Sequence, residues 1–325
     1  MTQRDLQSLP DFFDLPESIY GAAMMAVVRS SQTYRKTVHG VTSCVFVGLG
    51  INIFTQFYVL YCTKLYICAP AIHAIRELYA HYHQEVFIDG VFSHDAWENF
   101  DHAESLCQVP LSQPMFFMAI LTIWTATCWV DLSESFRYLL FWCNLRQPEH
   151  SHATEVDFCD GNVLTTAASR RTKISIVVFV LVPKVMIAMY LWLLGARWLT
   201  ATTGFQDLIL NAVALAFITE LDELIYAVVV PEDIQGLVRM YKITRQCCDS
   251  PLPIPGALKD VESFQTISNN RDKKFRMRIA WMLGVMFIVF ALPVVYMYRL
   301  QHVLPNYHWD VHAPCQARIA DLIAE

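Results

Sequence analysis

Lys184 lies within the apolar run 174–195, and the next apolar run, 208–230, carries Glu220, Asp222 and Glu223 at a comparable depth. Opposite charges at one level of an apolar bundle can pair, bind an ion or pass a proton. An ionised side chain left alone at a bilayer centre costs roughly 2.5–3.5 kcal/mol on insertion scales, so Lys184 needs a partner. Counting from the inner end of each run puts Lys184 level with Glu220, with Asp222 and Glu223 a turn or less inward. Projected at 100° per residue, Asp207, Asn211, Asp222 and Tyr226 share one arc of the second run, which Glu223 joins at its edge and Glu220 leaves. The expected pair is therefore Lys184 with Asp222 or Glu223. Asn52 and Gln56 stand four residues apart on one face of an earlier run, with Gly48 and Gly50 just before them to allow close helix approach.

The elements that must hold these groups are membrane-length helices. Hydrophobic residues make up 55% of the 325-residue chain, charged residues only 17%, against about 25% in an average soluble domain. Mean hydropathy is +0.34. About 20 residues cross a hydrocarbon core, and five runs qualify: 41–63, 115–132, 174–195, 208–230 and 279–298. The expected fold is an all-α, polytopic transmembrane bundle flanked by interfacial amphipathic helices. The lipid bilayer is its first partner, with further copies or partner membrane subunits as candidates. A net charge of -6 offers nothing to nucleic acid.

Lysine and arginine test the alternation. The segments 1–40, 133–173 and 231–278 hold four, five and nine; 64–114, 196–207 and 299–325 hold two, one and two. The asymmetry puts the amino terminus on the cytoplasmic side and the carboxyl-terminal tail, 299–325, on the outer or luminal side. Residues 1–20 contain four acids and no continuous apolar core, so no cleavable signal is read there. Pro16-Glu17 followed by SIYGAAMMAVVRS predicts a helix lying at the inner interface. A helix through PEDIQGLVRMYKITRQCC, acidic at its start and basic toward its end, is expected along the inner leaflet. The Pro-rich, polar stretch after it reads as a linker. In the third run Pro183 precedes Lys184 and frees a backbone carbonyl beside the charge.

The outer loop 64–114 is acidic and rich in histidine. Its first half sets Ile72, Ile75, Tyr79, Tyr82 and Val86 at helical spacing, which leaves His73, Glu77 and His81 on one face. Such a face is solvated more often than it chelates, and no second ligand set accompanies it, so no metal is assigned. Of ten cysteines, Cys62, Cys68, Cys107 and Cys315 fall on the outer side, where an oxidising compartment permits disulfides. Cys68 with Cys107 would close the outer loop and is the expected pairing, beside the alternative of free thiols. Cys247 and Cys248, next to the inner-leaflet helix, are palmitoylation candidates.

The stretch DLILNAVALAFITELDELIYAVVVP, with the preceding GARWLTATTGFQ, resembles a signature of uncharacterised polytopic membrane proteins of protists. The resemblance spans residues 190–231 and implies that Asn211, Asp222 and Glu223 act as a unit. It implies no activity or substrate.

The chain contains no H-E-x-x-H, G-x-S-x-G, P-loop or dinucleotide fingerprint, so no enzyme is read from it. No cofactor is assigned. Two functional readings stand together: permeation of an ion, proton or small solute through the third and fourth runs, or a non-catalytic accessory subunit of a larger membrane complex whose charge pair locks helices together. In a variant of the first, residues 208–219 form a re-entrant helix and ELDE at 220–223 a carboxylate ring in an oligomer. That variant would move the nine basic residues of 231–278 to the outer side, against the charge asymmetry.

Overall fold

The computed structural model describes residues 13–31, 38–148, 154–159, 162–244, 261–305 and 307–324. It is mostly helical. In chain order the elements are β1 (Phe13–Asp14), α1 (Ile19–Ser30), α2 (Val38–Cys62), α3 (Ala69–Val86), β2 (Phe87–Ile88), β3 (Val91–Phe92), α4 (His94–Glu98), α5 (Ala103–Cys107) and α6 (Pro114–Asn144). There follow β4 (Glu155–Cys159), β5 (Asn162–Ala167), α7 (Arg170–Ile176), α8 (Val182–Ala201), α9 (Phe205–Thr219), α10 (Leu221–Val229), α11 (Glu232–Met240), β6 (Tyr241–Ile243), α12 (Val261–Val295) and α13 (His312–Ala324).

Among the described residues, four helical stretches are long and apolar enough to cross a membrane: Thr42–Val86, Pro114–Asn144, Arg170–Ala201 and Ile279–Leu300. Large side chains along them, including Phe54, Tyr58, Ile123, Phe179, Met186, Phe287 and Phe290, face away from the protein. So many uncovered apolar groups need an apolar surrounding. Two long stretches are continuous through π-helical turns, at Thr63–Cys68 between α2 and α3 and at Val177–Leu181 between α7 and α8. The second turn lies just before Pro183, whose missing N–H interrupts the hydrogen-bond ladder of that continuous stretch.

The expected run 208–230 is not one helix. It is α9 and α10, divided at Glu220, whose backbone leaves helical values (φ -87, ψ 0). The run is less continuous than its hydropathy suggests because ELDE crowds three acids into four positions, the first at the break.

Two apolar cores occupy the two ends of the molecule. One gathers Leu60, Phe117, Leu121, Trp124, Leu191, Leu199, Leu208, Tyr296 and Val303 around α3–α5 and α13. The other gathers Val45, Leu49, Trp142, Val180, Tyr226, Val238 and Ile243 around α1 and a small sheet. α6 and α8 pack closely within the first core: Trp124 donates from Nε1 to the Trp192 carbonyl at 3.2 Å, and Trp192 donates from Nε1 to the Thr125 hydroxyl at 3.1 Å. Gly195 makes this approach possible, since a Cβ there would meet three Trp124 ring atoms at 2.6–2.8 Å. Gly195→Ala is therefore expected to cost about 1–3 kcal/mol by overpacking, read as an earlier unfolding transition in detergent. A variant that melts with wild type would contradict the packing.

Three expectations about the flanking segments are corrected. The amino-terminal helix is not an exposed surface helix: every residue of α1 from Ile19 to Val28 is buried. Its sequence is apolar on all sides, which suits a core helix and not a leaflet surface. Gly21 sits so close to the Pro16 carbonyl that a Cβ would fall 1.9 Å from its oxygen. Secondly, the mostly helical bundle also carries a small sheet. A four-stranded sheet in the order β1-β6-β5-β4 joins the amino-terminal segment to the two expected inner loops, with β4 and β5 antiparallel and β5 and β6 parallel. Val, Phe and Thr in EVDFC and NVLTTA favour this pairing, and the intervening sequence Asp160-Gly161 is the pair that two-residue hairpins prefer. Thirdly, the helix expected through residue 248 ends at Met240, where β6 begins and pairs with β1 and β5. Part of the expected linker, from Val261, belongs to α12.

The carboxyl-terminal tail is a packed cap. Arg76 donates to the carbonyls of Val303 and His302 at 2.7 and 2.6 Å, and Tyr307 to the Leu111 carbonyl at 3.2 Å. Cys107 is bonded to Cys315, not to Cys68. Cys68 is buried in the adjoining core, its thiol 3.9 Å from the Leu194 carbonyl.

Candidate functional site

The polar groups form a layer between the two cores. On α2, Leu49 belongs to one core and Leu60 to the other, with Asn52 and Gln56 between them. On α6 the change falls between Cys128 and Tyr138, around Asp131 and Glu134; on α8 between Leu181 and Ile187, around Lys184; on the broken segment between Ile218 and Tyr226, around Glu220, Asp222 and Glu223. Four segments thus pass from one core to the other at one level, and Asn52, Gln56, Asp131, Glu134, Lys184 and Asp222 gather there.

Lys184 is the centre. Its Nζ lies 3.0 Å from Glu134 Oε2, in an ion pair whose lysine side chain is only 10% exposed. The ammonium also stands 5.4 Å from the Tyr20 ring centroid, within cation–π range. Tyr20 of α1 donates its hydroxyl to Gln56 Oε1 at 2.9 Å, and Asn52 Nδ2 approaches the same oxygen at 3.4 Å. Asn52 Oδ1 is buried with no hydrogen-bond partner among the described residues. Asp222 is buried, and with Asp131 and Glu134 it acts electrostatically on Lys184.

The expected partners of Lys184 are thus corrected in part. Glu134 makes the direct contact, Asp222 is a charged neighbour, and Glu223 faces outward and is exposed. Glu220 is exposed at the helix break. Among the described residues neither Glu220 nor Glu223 forms an ion pair. Asn211 is not in the layer: it lies three turns before Asp222 on α9 and donates to the Thr202 hydroxyl at 3.0 Å.

Glu134 lies beyond the apolar run expected at 115–132, whereas α6 continues to Asn144, and Asp131 stands one residue from the end of that run. Their i, i+3 spacing in VDLSES, which sets both on one helix face, was the available signal. Tyr20 escaped because its helix was assigned to the leaflet surface.

A cavity of about 20 Å³ opens in this layer, lined by Tyr20, Gln56, Asp131, Lys184, Thr219 and Asp222 among others. About 10–15 Å³ suffices for one water. The space therefore fits a single water or small cation, and it is not an open pore.

The remaining sequence candidates lie elsewhere. His73 and Glu77 form an exposed pair at 3.3 Å, and no group of three or more metal-ligating side chains occurs among the described residues. Cys247 and Cys248 lie outside the described residues. Compared with known proteins, the chain matches no family model, no curated protein and no solved structure.

Proposed function

We propose that the chain is a multi-pass membrane protein that crosses five times, the fourth time through the broken pair α9–α10, and that its mid-depth layer passes a cation or proton. The charge asymmetry of the connecting segments supports a cytoplasmic amino terminus and an outer carboxyl terminus. One observation carries the functional reading. A single ammonium stands among three carboxylates, Asp131, Glu134 and Asp222, beside a cavity the size of one water. Carboxylates gathered in a low-dielectric layer repel one another, so the layer favours a further positive charge. Lys184 fixes Glu134, and Asp222 borders the cavity beside a helix break, the arrangement that discontinuous helices use at transport sites. With room for about one water, the arrangement corresponds to an occluded state, and permeation requires movement about the break at Glu220.

A second reading is favoured by a different observation. Glu220 and Glu223 are exposed at mid-depth with no ion pair among the described residues, and acids there avoid lipid. A partner membrane subunit, or another copy of the chain, covering that face would make this protein an accessory subunit locked by its Lys184 layer. Proton and monovalent-cation flux into liposomes separates the readings. Permeation predicts flux for wild type that Asp222→Asn with Glu223→Gln abolishes; liposomes carrying wild type that stay as tight as empty ones would leave the accessory reading.

A further inference from the structure

A larger cavity lies at the opposite end from the sheet, in the cap formed by the β2–β3 hairpin, α4 and α13. Its volume is about 780 Å³, within the roughly 300–1,000 Å³ of small-molecule sites. We propose that it binds an organic ammonium ion carrying an apolar or aromatic body. This inference is independent of the mid-depth layer.

Three aromatic side chains line the cavity: Phe87, Phe92 and Trp97. They are already packed on one another, Phe87 and Phe92 edge-to-face at 5.8 Å and Phe92 with Trp97 at 6.4 Å, so their positions are set before a ligand arrives. Two carboxylates join them, Glu98 at the exposed margin and Asp310 deeper. Asp310 is held firmly: Tyr79 donates to its Oδ1 at 3.0 Å, and His83 Nε2 stands 3.0 Å from its Oδ2. The wall contributed by α13 is fixed as well, because Cys315 on that helix is bonded to Cys107 of α5.

The chemistry favours a cation. Aromatic faces attract an ammonium through their ring quadrupoles, and two acids add charge complementarity to an apolar body that the rings bury. The surrounding outer loop 64–114 is acidic, with Lys64 and Arg76 its basic residues. Arg318 is the opposing feature. It lines the same cavity and is exposed, so it disfavours a simple cation and provides a variant with the opposite sign.

The test uses full-length protein in lipid nanodiscs and titration calorimetry with benzyltrimethylammonium, benzyl alcohol and phenylacetate. Saturable binding of benzyltrimethylammonium is expected, ~10-fold or more tighter than the neutral and anionic probes. Phe92→Ala and Glu98→Gln should each weaken it several-fold, and Arg318→Ala should tighten it. Glu98 and Arg318 are exposed, so those two variants report on binding even if Phe92→Ala fails to fold. No saturable binding, equal affinity for benzyl alcohol, or stronger binding of phenylacetate would overturn the proposal, as would Glu98→Gln and Arg318→Ala both binding like wild type.

Discussion

Replacing Lys184 by methionine is expected to destabilise the protein by about 3–5 kcal/mol, the usual loss when one member of a buried ion pair is removed. Methionine keeps much of the apolar stem but leaves Glu134, Asp131 and Asp222 facing one another without the ammonium. The loss should appear as poor recovery in mild detergent and a markedly earlier melting transition. Glu134→Gln alone should cost less, because its side chain is 36% exposed and Lys184 keeps Asp131 and Asp222 as charged neighbours. The double variant should recover part of the Lys184→Met loss, since one of the stranded acids is gone; coupling between contacting charges is typically about 0.5–3 kcal/mol. Normal recovery and melting of Lys184→Met would contradict the ion pair at the centre of the layer.

The second large effect is expected at the cap. The Cys107–Cys315 bond spans 208 residues of chain and ties α13 to α5. Removing a native disulfide typically costs about 2–5 kcal/mol, through a mechanism that is partly entropic. Cys107→Ser should therefore lower the melting transition and release the tail from the outer core, and reductant should do the same to wild type. Peptide mapping without reduction should recover a fragment joining residues around 107 to those around 315. A fragment joining Cys68 to Cys107, or melting that ignores both reductant and Cys107→Ser, would contradict the arrangement.

Closing the outer loop favours Cys68 as the partner of Cys107, but Cys68 falls in the π-helical turn that makes α2 and α3 one continuous stretch, and its side chain is enclosed by the adjoining core. The tail comes back onto the loop through Arg76, Tyr79 and Tyr307, contacts between residues some 200 positions apart that no local pattern announces. By contrast, helical periodicity located the buried face of α3 at Ile72, Ile75, Tyr79, Tyr82 and Val86, because a single helix face repeats locally. Hydropathy found the long apolar stretches but closed the second at residue 132, and so separated Glu134 from the lysine it touches. It also joined α9 to α10, since a break at one residue hardly alters a window average. Lys184 itself was legible because a lone lysine in an apolar run needs a partner; which carboxylate supplies it depends on how α6 packs on α8, a tertiary fact.

The most direct test of the account is cation and proton flux into liposomes holding equal amounts of folded wild type, Asp222→Asn and Asn211→Ala. Asp222 borders the mid-depth cavity, whereas Asn211 lies three turns away against Thr202. The account predicts flux in wild type and Asn211→Ala and its loss in Asp222→Asn. Wild-type liposomes no leakier than empty ones, or Asp222→Asn conducting as wild type does, would contradict it.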